Sequence, residues 1–307
     1  MHVYYTGFVI IAAILWGISG GLAGILMDKG WSPLVISFYR GAIGLVCLLF
    51  WLLLKRKGSK GSSTKFSSKT VWWAMLAGVA VAGNFSFYFL SISESGVAVA
   101  STLMYTAPIF VLMSSFLFRI ESITPFKVIS MIVVMGGISL LTNIYETGIG
   151  QLNVLGVIFG LLSGVSYALF IFGFKNASKN GRPPFILSIA FATFTIVLFL
   201  FIDHSEARSV LLSEDLIWFI TLGIIGAGLS FYLYIEGLKK TSSSVASVIA
   251  MVEPVTASLF GLVVLGEVLT PTQSIGLVII LVTITMLSGK QKGYKRKKES
   301  VGVEENI

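Results

Sequence analysis

Long apolar runs recur through almost the whole chain, and they constrain its fold more than any other feature. Only 12% of the residues are charged and the mean hydropathy is +0.91, whereas about a quarter of the residues in soluble domains are charged. Each run has about 18 to 24 residues, enough to cross roughly 30 Å of hydrocarbon as an α-helix. We therefore predict an all-α membrane protein with ten transmembrane helices. The runs lie at about 4–27, 32–54, 71–93, 96–118, 125–143, 151–174, 183–202, 215–238, 243–265 and 271–288.

Lysine and arginine are concentrated on alternate connections between these runs. With a cytoplasmic N-terminus, nineteen basic residues fall on the cytoplasmic side, while only Lys29 and Arg208 fall on the other side and Arg40 lies within a span. Short cytoplasmic loops carry such an excess. We therefore expect a multi-pass plasma-membrane protein with both termini in the cytoplasm. The net charge of +8 then reflects topology and not nucleic-acid binding, although the basic tail could also bind anionic lipid.

One segment of the chain occurs twice, at a constant offset of 146 residues. Because five spans per copy is an odd number, the second copy enters the membrane from the opposite side, as in the inverted repeats of secondary transporters. We predict two inverted five-helix repeats, residues 1–145 and 146–289, followed by a cytoplasmic tail, 290–307. The copies differ at Glu253, whose counterpart is Ala107. The shared residues are Val99, Ala100, Ser101, Pro108, Glu121, Thr124 and Pro125, which recur as Val245, Ala246, Ser247, Pro254, Glu267, Thr270 and Pro271.

These motifs resemble those of the EamA-type members of the drug/metabolite transporter superfamily, over both copies, roughly 8–142 and 153–288. A lysine that such proteins often carry near the end of the first span has no match here, where residues 23–27 are apolar. The resemblance implies a carrier for amino acids, related metabolites or drugs, commonly an exporter. It rests on Trp16-Gly17, Ser32-Pro33, Tyr39-Arg40-Gly41 and the pattern of Pro254, Glu267 and Leu269-Thr270-Pro271, which the first copy repeats as Pro108, Glu121 and Thr124-Pro125.

Two charged residues within the spans are candidates for substrate binding. Arg40 shares a helical face with small residues, so it faces other helices and could bind a substrate carboxylate or a mobile acidic group. It could equally cap backbone carbonyls or extend to the membrane interface. Glu253 directly precedes Pro254 and could bind a substrate amine or take up a proton. Its alternative role is to stabilise the bend that the proline imposes. Proton coupling is our first hypothesis for the energy source.

Aromatic and amide side chains could complete a small-molecule site, because such sites combine apolar walls with a few polar groups. The alternative for each aromatic residue is packing or anchoring at the interface. We assign Pro108, Pro254, Glu121 and Glu267 to hinges or gates, with helix-end contacts as the alternative for the glutamates. The further substrate-binding candidates are Trp16, Asn84, Tyr88, Tyr105, Tyr167 and Tyr232.

The sequence gives little support to other classes of membrane protein. Its only histidines are His2 and His204, outside the spans, and its only cysteine is Cys47. We therefore expect no enzyme, no metal and no cofactor. A channel, or a receptor or assembly scaffold, is the alternative to a carrier. The expected partners are a small-molecule substrate and the lipid bilayer, with no nucleic acid, and a homodimer is left open.

Overall fold

The helices of this chain follow its apolar runs. A computed structural model describes residues 2–56, 67–146 and 153–304, and the side chains of 4–52, 67–146 and 153–289. These described residues form helices and connections, without a strand. The α-helices are α1 (His2–Asp28), α2 (Pro33–Arg56), α3 (Ser68–Met104), α4 (Ala107–Leu117), α5 (Pro125–Leu141), α6 (Val154–Ala177), α7 (Pro183–Phe199), α8 (His204–Val210), α9 (Leu216–Gly223), α10 (Ser230–Leu238), α11 (Ser243–Ile249), α12 (Val252–Phe260) and α13 (Pro271–Glu304).

Seven segments of the described chain are long and apolar enough to cross a membrane by length and composition. Helices α4, α5 and α7 are apolar but shorter, with 11, 17 and 17 residues. The third predicted span and the start of the fourth form one segment, α3, which is interrupted at Gly96 (φ +79°). The seven segments are Tyr4–Asp28, Pro33–Leu52, Ser68–Met104, Val154–Ala177, Leu216–Leu238, Ser243–Leu265 and Pro271–Gly289.

Two helices are broken at matching positions in the two repeats. One break separates α3 from α4 and the other separates α11 from α12. Pro108 and Pro254 lie in the first turn of the helix that follows each break. Proline is tolerated there because the first N–H groups of a helix have no intrahelical partner. The chain therefore bends just before each proline, and not at it.

Glycines let a helix of each repeat pass close to the broken helix of the other. A Cβ atom added to Gly17 of α1 would lie 2.5 Å from the Glu253 carbonyl oxygen. One added to Gly164 of α6 would lie 2.9 Å from the Leu103 carbonyl oxygen. Both distances are too short for any side chain. Helices α1 and α6 consequently flank the two breaks.

The two ends of the bundle differ in charge. Glu121, Lys127, Lys175, Lys239 and Lys240 lie at one end, which we call the lysine-rich face. At the opposite face, Lys29 pairs with Asp215, and Glu206 accepts a hydrogen bond from the Ser32 amide at 2.6 Å. These contacts connect the α1–α2 loop to the connection between α7 and α9, which contains the short helix α8.

Some sequence predictions fall on parts of the chain that the structure does not describe. Lys57, Lys60 and Lys65 lie outside the described residues, as do the side chains of the basic tail, 290–307. The predicted boundary between the repeats adjoins another such segment, 147–152.

Candidate substrate site

The break in the second repeat places a carboxylate inside the bundle. Glu253 lies in the first turn of α12, where the partial positive charge of a helix N-terminus favours an anion. The hydroxyl of Tyr167 on α6 donates a hydrogen bond to Glu253 Oε2 at 3.2 Å. Tyr167 itself is buried. The carboxylate is therefore held between α6 and the broken helix.

Tyrosine side chains from both repeats lie within electrostatic range of this carboxylate. Its charge acts on Tyr88, Tyr105, Tyr167 and Tyr234. The hydroxyl of Tyr88 also lies 3.3 Å from Ser101 Oγ, on the segment that leads into the break of the first repeat. The surroundings of Glu253 are thus built from both halves of the chain.

Arg40 is the second charged group of this region, and its hydrogen-bonding capacity is only partly used. Its Nη2 donates to the Ser19 carbonyl oxygen at 3.3 Å, and its guanidinium carbon lies 4.9 Å from the centroid of the Phe85 ring, as in a cation–π contact. Its Nε has no hydrogen-bond partner among the described residues. The charges of Arg40 and Glu253 interact. Neither belongs to an ion pair within the described part of the chain.

A continuous aromatic wall adjoins Glu253. The Trp16 ring on α1 lies 4.9 Å from Phe231 and 4.8 Å from Tyr234, both on α10. Phe170 on α6 continues this wall to Tyr167, at 4.5 Å between ring centroids. Within the described residues, the buried Trp16 Nε1 and the Tyr234 hydroxyl have no hydrogen-bond partner. Buried donors are rarely left unpaired, so these two groups are suited to a polar ligand or water.

The structure brings most of the predicted substrate-binding residues together. Trp16, Tyr88, Tyr105, Tyr167 and Glu253 form one region, and the charge of Arg40 reaches it.

Two of the candidates have other surroundings. Tyr232 is only partly buried and packs against Trp51, with 4.6 Å between ring centroids; the carboxylate that acts on it is Glu236. Asn84 Nδ2 donates to the carbonyl and hydroxyl oxygens of Ser163, at 3.1 and 3.0 Å. The Ser163 hydroxyl donates back to the Asn84 carbonyl oxygen at 3.0 Å. Asn84 therefore joins α3 to α6.

Sequence reasoning missed Tyr234, which lies where Tyr232 was expected. The two differ by about 200° around a helix of 3.6 residues per turn, so they point in nearly opposite directions. A signal was present in Gly237, one turn beyond Tyr234. A Cβ atom added there would lie 2.7 Å from the Tyr5 carbonyl oxygen on α1. The small residue marks the face of α10 that packs inward, and Tyr234 shares that face.

The predicted gate residue Glu121 binds across the two repeats at the lysine-rich face. It accepts hydrogen bonds from Lys127 Nζ at 2.8 Å and from Ser244 N and Oγ at 2.9 and 2.7 Å. Burial raises the pKa of the Glu121 carboxyl, but Lys127 and Ser244 outweigh this and hold the pKa below its ordinary value. The adjoining cavity of about 310 Å³ is lined by Ile120, Glu121, Lys175, Lys239, Lys240, Thr241, Ser242 and Ser243.

The other predicted gate residue, Glu267, is exposed at the opposite face. Its carboxylate lies over Gly261, where an added Cβ atom would be 2.1 Å from Oε2. Its amide donates to the Gly261 carbonyl oxygen at 3.1 Å. The two glutamates therefore have different surroundings despite their matched positions in sequence.

Comparison with known proteins identifies the family of this chain. The model of the EamA-like transporter family matches residues 5–143 and again residues 154–289. The chain belongs to the EamA-like transporter family. It is accordingly a multi-pass, all-helical membrane transporter, as the sequence motifs predicted.

Similar proteins from bacteria are also named as transporters. The "Uncharacterized transporter YwfM" of Bacillus subtilis is 24% identical over 296 residues, which cover 95% of this chain and 96% of that protein. The "Uncharacterized inner membrane transporter YicL" of Salmonella typhimurium is 24% identical over 287 residues, 91% of this chain and 93% of that one. A crystal structure of another protein matches 94% of this chain and 98% of its own at 17% identity and a TM-score of 0.71, which supports the fold alone.

Proposed function

We propose that this transporter is a secondary carrier that works by alternating access and exports amino acids, related compounds or drugs. In this proposal its ten spans form two inverted repeats, residues 1–145 and 146–289, and both termini lie in the cytoplasm. The observation that carries it is the placement of Glu253 at a helix break, within electrostatic reach of Arg40 and beside aromatic side chains. Transporter sites are typically built from such discontinuous helices near the middle of the bilayer.

The chemistry of the site favours a small zwitterion with an apolar group. The Arg40 guanidinium has an unused donor and would bind a carboxylate, since a guanidinium matches the geometry of that group. Glu253 would bind an amine. The wall of Trp16, Phe170 and Tyr234 would pack against the apolar group, while the unpaired Trp16 and Tyr234 donors would hydrogen-bond to the ligand or to water.

Glu253 is also the residue that we propose to couple transport to protons. A charged carboxyl group is costly inside the membrane, so such groups occur there mainly at functional sites. Binding of a substrate amine and binding of a proton would compete for the same carboxylate. Such competition lets a proton moving inward exchange for a substrate moving outward.

Flux into liposomes tests this function. The purified protein would be reconstituted with and without a pH gradient, and uptake of radiolabelled neutral amino acids would be followed for the parent and for Glu253→Gln. We expect saturable, gradient-stimulated uptake by the parent and a loss of the gradient effect in the variant. Glu236→Gln is the matched control, because Glu236 pairs with Lys239 at the lysine-rich face, away from the site.

Three outcomes would contradict parts of the proposal. Gradient-stimulated uptake that Glu253→Gln leaves unchanged would exclude Glu253 from proton coupling. Uptake that rises linearly with substrate concentration, without counterflow, would favour a channel. An absence of flux for amino acids, nucleobases and cationic drugs alike would remove the carrier function.

A further inference from the structure

The internal repeat allows each contact at the lysine-rich face to be compared with its counterpart at the opposite face. At the offset of 146 residues, Glu121 corresponds to Glu267 and Ser244 corresponds to Ala98. Thr124 and Thr270 correspond too. Their side chains accept hydrogen bonds from the backbone amides of Lys127 and Gln273, respectively. The backbone at the two ends therefore follows the same plan.

The side chains of the two glutamates also contact matching positions near the end of the preceding helix. Ser115 Oγ donates to Glu121 Oε1 at 3.1 Å. The counterpart of Ser115 is Gly261, and the Glu267 carboxylate lies over this glycine. Each acidic side chain thus folds back against the end of the broken helix that precedes it.

Only Glu121 goes on to bind the other repeat. It accepts two hydrogen bonds from Ser244 and is paired with Lys127. Among the described residues, the Glu267 carboxylate accepts no hydrogen bond, and Lys127 is replaced by Gln273. Gln273 Oε1 instead accepts from the Thr270 amide at 2.9 Å.

The residues that follow the two matched loops also differ in burial, and again the lysine-rich face is the more tightly packed. Ser243 and Ser244 at the start of α11 are 2% and 4% exposed. Their counterparts are Val97, which is 59% exposed, and Ala98, which is partly exposed. The contact between Glu121 and the start of α11 is thus formed at the lysine-rich face, whereas the matching contact between Glu267 and the segment that follows Gly96 is not formed at the opposite face.

We infer that Glu121 and Glu267 are reciprocal gates, and that the structure represents the state closed at Glu121 and open at Glu267. In the alternate state, Glu267 binds the Ala98 amide at the start of the segment that follows Gly96, and Glu121 releases Ser244. This inference rests on the alternating-access function proposed above. It adds a contact, between Glu267 and Ala98, that this state lacks.

The Glu121 gate is stable at neutral pH. Because the Glu121 pKa is lowered, the carboxylate contact is complete above the ordinary pKa of a glutamate and weakens only as the pH falls through the lowered value. The charged groups near it are Lys127, which pairs with it, and Lys175, Lys239 and Lys240, which line the adjoining cavity. Release at neutral pH must therefore come from movement of the helices and not from protonation of Glu121.

Distances between spin labels test the inference without a transport assay. In the full-length protein with Cys47→Ala, one labelled pair is Ser122→Cys with Lys240→Cys, and the other is Val97→Cys with Val268→Cys. All four positions are exposed, and none is a gate side chain. Pulsed electron spin resonance would give both distances in lipid nanodiscs, in the parent and in Glu121→Gln.

We expect Glu121→Gln to lengthen the Ser122–Lys240 distance and shorten the Val97–Val268 distance, each by about 5 Å or more, the rise of one helical turn. Glu267→Gln alone should change neither distance. Added to Glu121→Gln, it should reverse the shortening at the opposite face. Ser244→Ala keeps the backbone donor and should give a smaller shift in the same direction. Glu236→Gln, the matched control, should give none.

Two results would overturn the inference. One is an unchanged pair of distances in folded Glu121→Gln, as judged by its thermal unfolding. The other is a lengthening at the lysine-rich face without a shortening at the opposite face, because reciprocal gates must move together. If the distances change as expected but no flux of the tested substrates is detected, the proposed substrate is wrong and the gates are not affected.

Discussion

The two helix breaks have the same backbone plan but different chemistry. In both repeats a helix ends, two residues connect, and a new helix starts with proline in its first turn. In the first repeat the residue before the proline is Ala107, which is fully buried. In the second it is Glu253, which accepts a hydrogen bond from Tyr167. The repeated residues thus determine how the helix breaks, and the unmatched residue brings the charge.

The other charged residue of the site, Arg40, also has an apolar counterpart in the other repeat. Ser37 in α2 matches Ser188 in α7 at an offset of 151, and at that offset the counterpart of Arg40 is Phe191. Phe191 is buried and packs edge to face with Phe231, at 5.2 Å between ring centroids. Both charged residues of the site therefore occur once in the chain, where the symmetry would place apolar residues.

Moving the acidic group between the breaks should have the largest effect. We expect Glu253→Ala to reduce transport by about 10- to 100-fold, because hydrogen bonds to charged groups contribute about 1.5–3 kcal/mol and 1.4 kcal/mol is tenfold. Adding Ala107→Glu should not restore it, since Tyr167 donates its hydrogen bond at position 253 and the Ala107 position is fully buried. Initial uptake rates in liposomes would measure both. Recovery in the double variant would mean that the two breaks are functionally equivalent.

Replacing Arg40 should have the next largest effect, because its counterpart shows that an apolar residue fits this fold. Arg40→Met should lower the apparent affinity for a carboxylate-bearing substrate by about tenfold while the protein remains folded. Arg40→Lys keeps the charge but loses the planar fork, so an intermediate affinity is expected. Substrate dependence of uptake gives the affinity, and thermal unfolding controls for folding. Equal affinities in all three proteins would assign Arg40 a purely structural role.

The Asn84–Ser163 contact makes a smaller contribution, and to stability. Their counterparts at offsets of 144 and 147 are Gly228 and Trp16, which cannot form this pair. We expect Asn84→Ala and Ser163→Ala each to cost about 1 kcal/mol of unfolding free energy, with a coupling of about 0.6 kcal/mol, as is typical between membrane helices. Unfolding of the two single variants and the double variant in mixed micelles would measure the coupling. Additive losses would show that the contact stabilises nothing.

Residues in the spans differ in how well sequence predicted their roles. The helices, the breaks and the burial of Arg40 follow from apolar length, internal repetition and small neighbours, which are local properties. The separation of Tyr232 from the site does not, because it depends on how α10 is rotated about its axis. That rotation is fixed by the close approach of Gly237 to α1, a contact between residues that lie far apart in sequence. The binding of Glu121 to Ser244 is likewise a contact between the two repeats.

The matched tyrosines Tyr88 and Tyr232 should give the smallest effects, and the difference between them tests this rotation. Tyr232→Phe should change transport by less than about twofold, because its ring packs on Trp51 and its hydroxyl forms no hydrogen bond within the described residues. Tyr88→Phe loses the contact with Ser101 Oγ and alters the surroundings of Glu253. Since a neutral hydrogen bond contributes about 0.5–1.5 kcal/mol, a loss of roughly two- to tenfold is expected. Uptake rates measured side by side would contradict this orientation of α10 if Tyr232→Phe were the more damaging change.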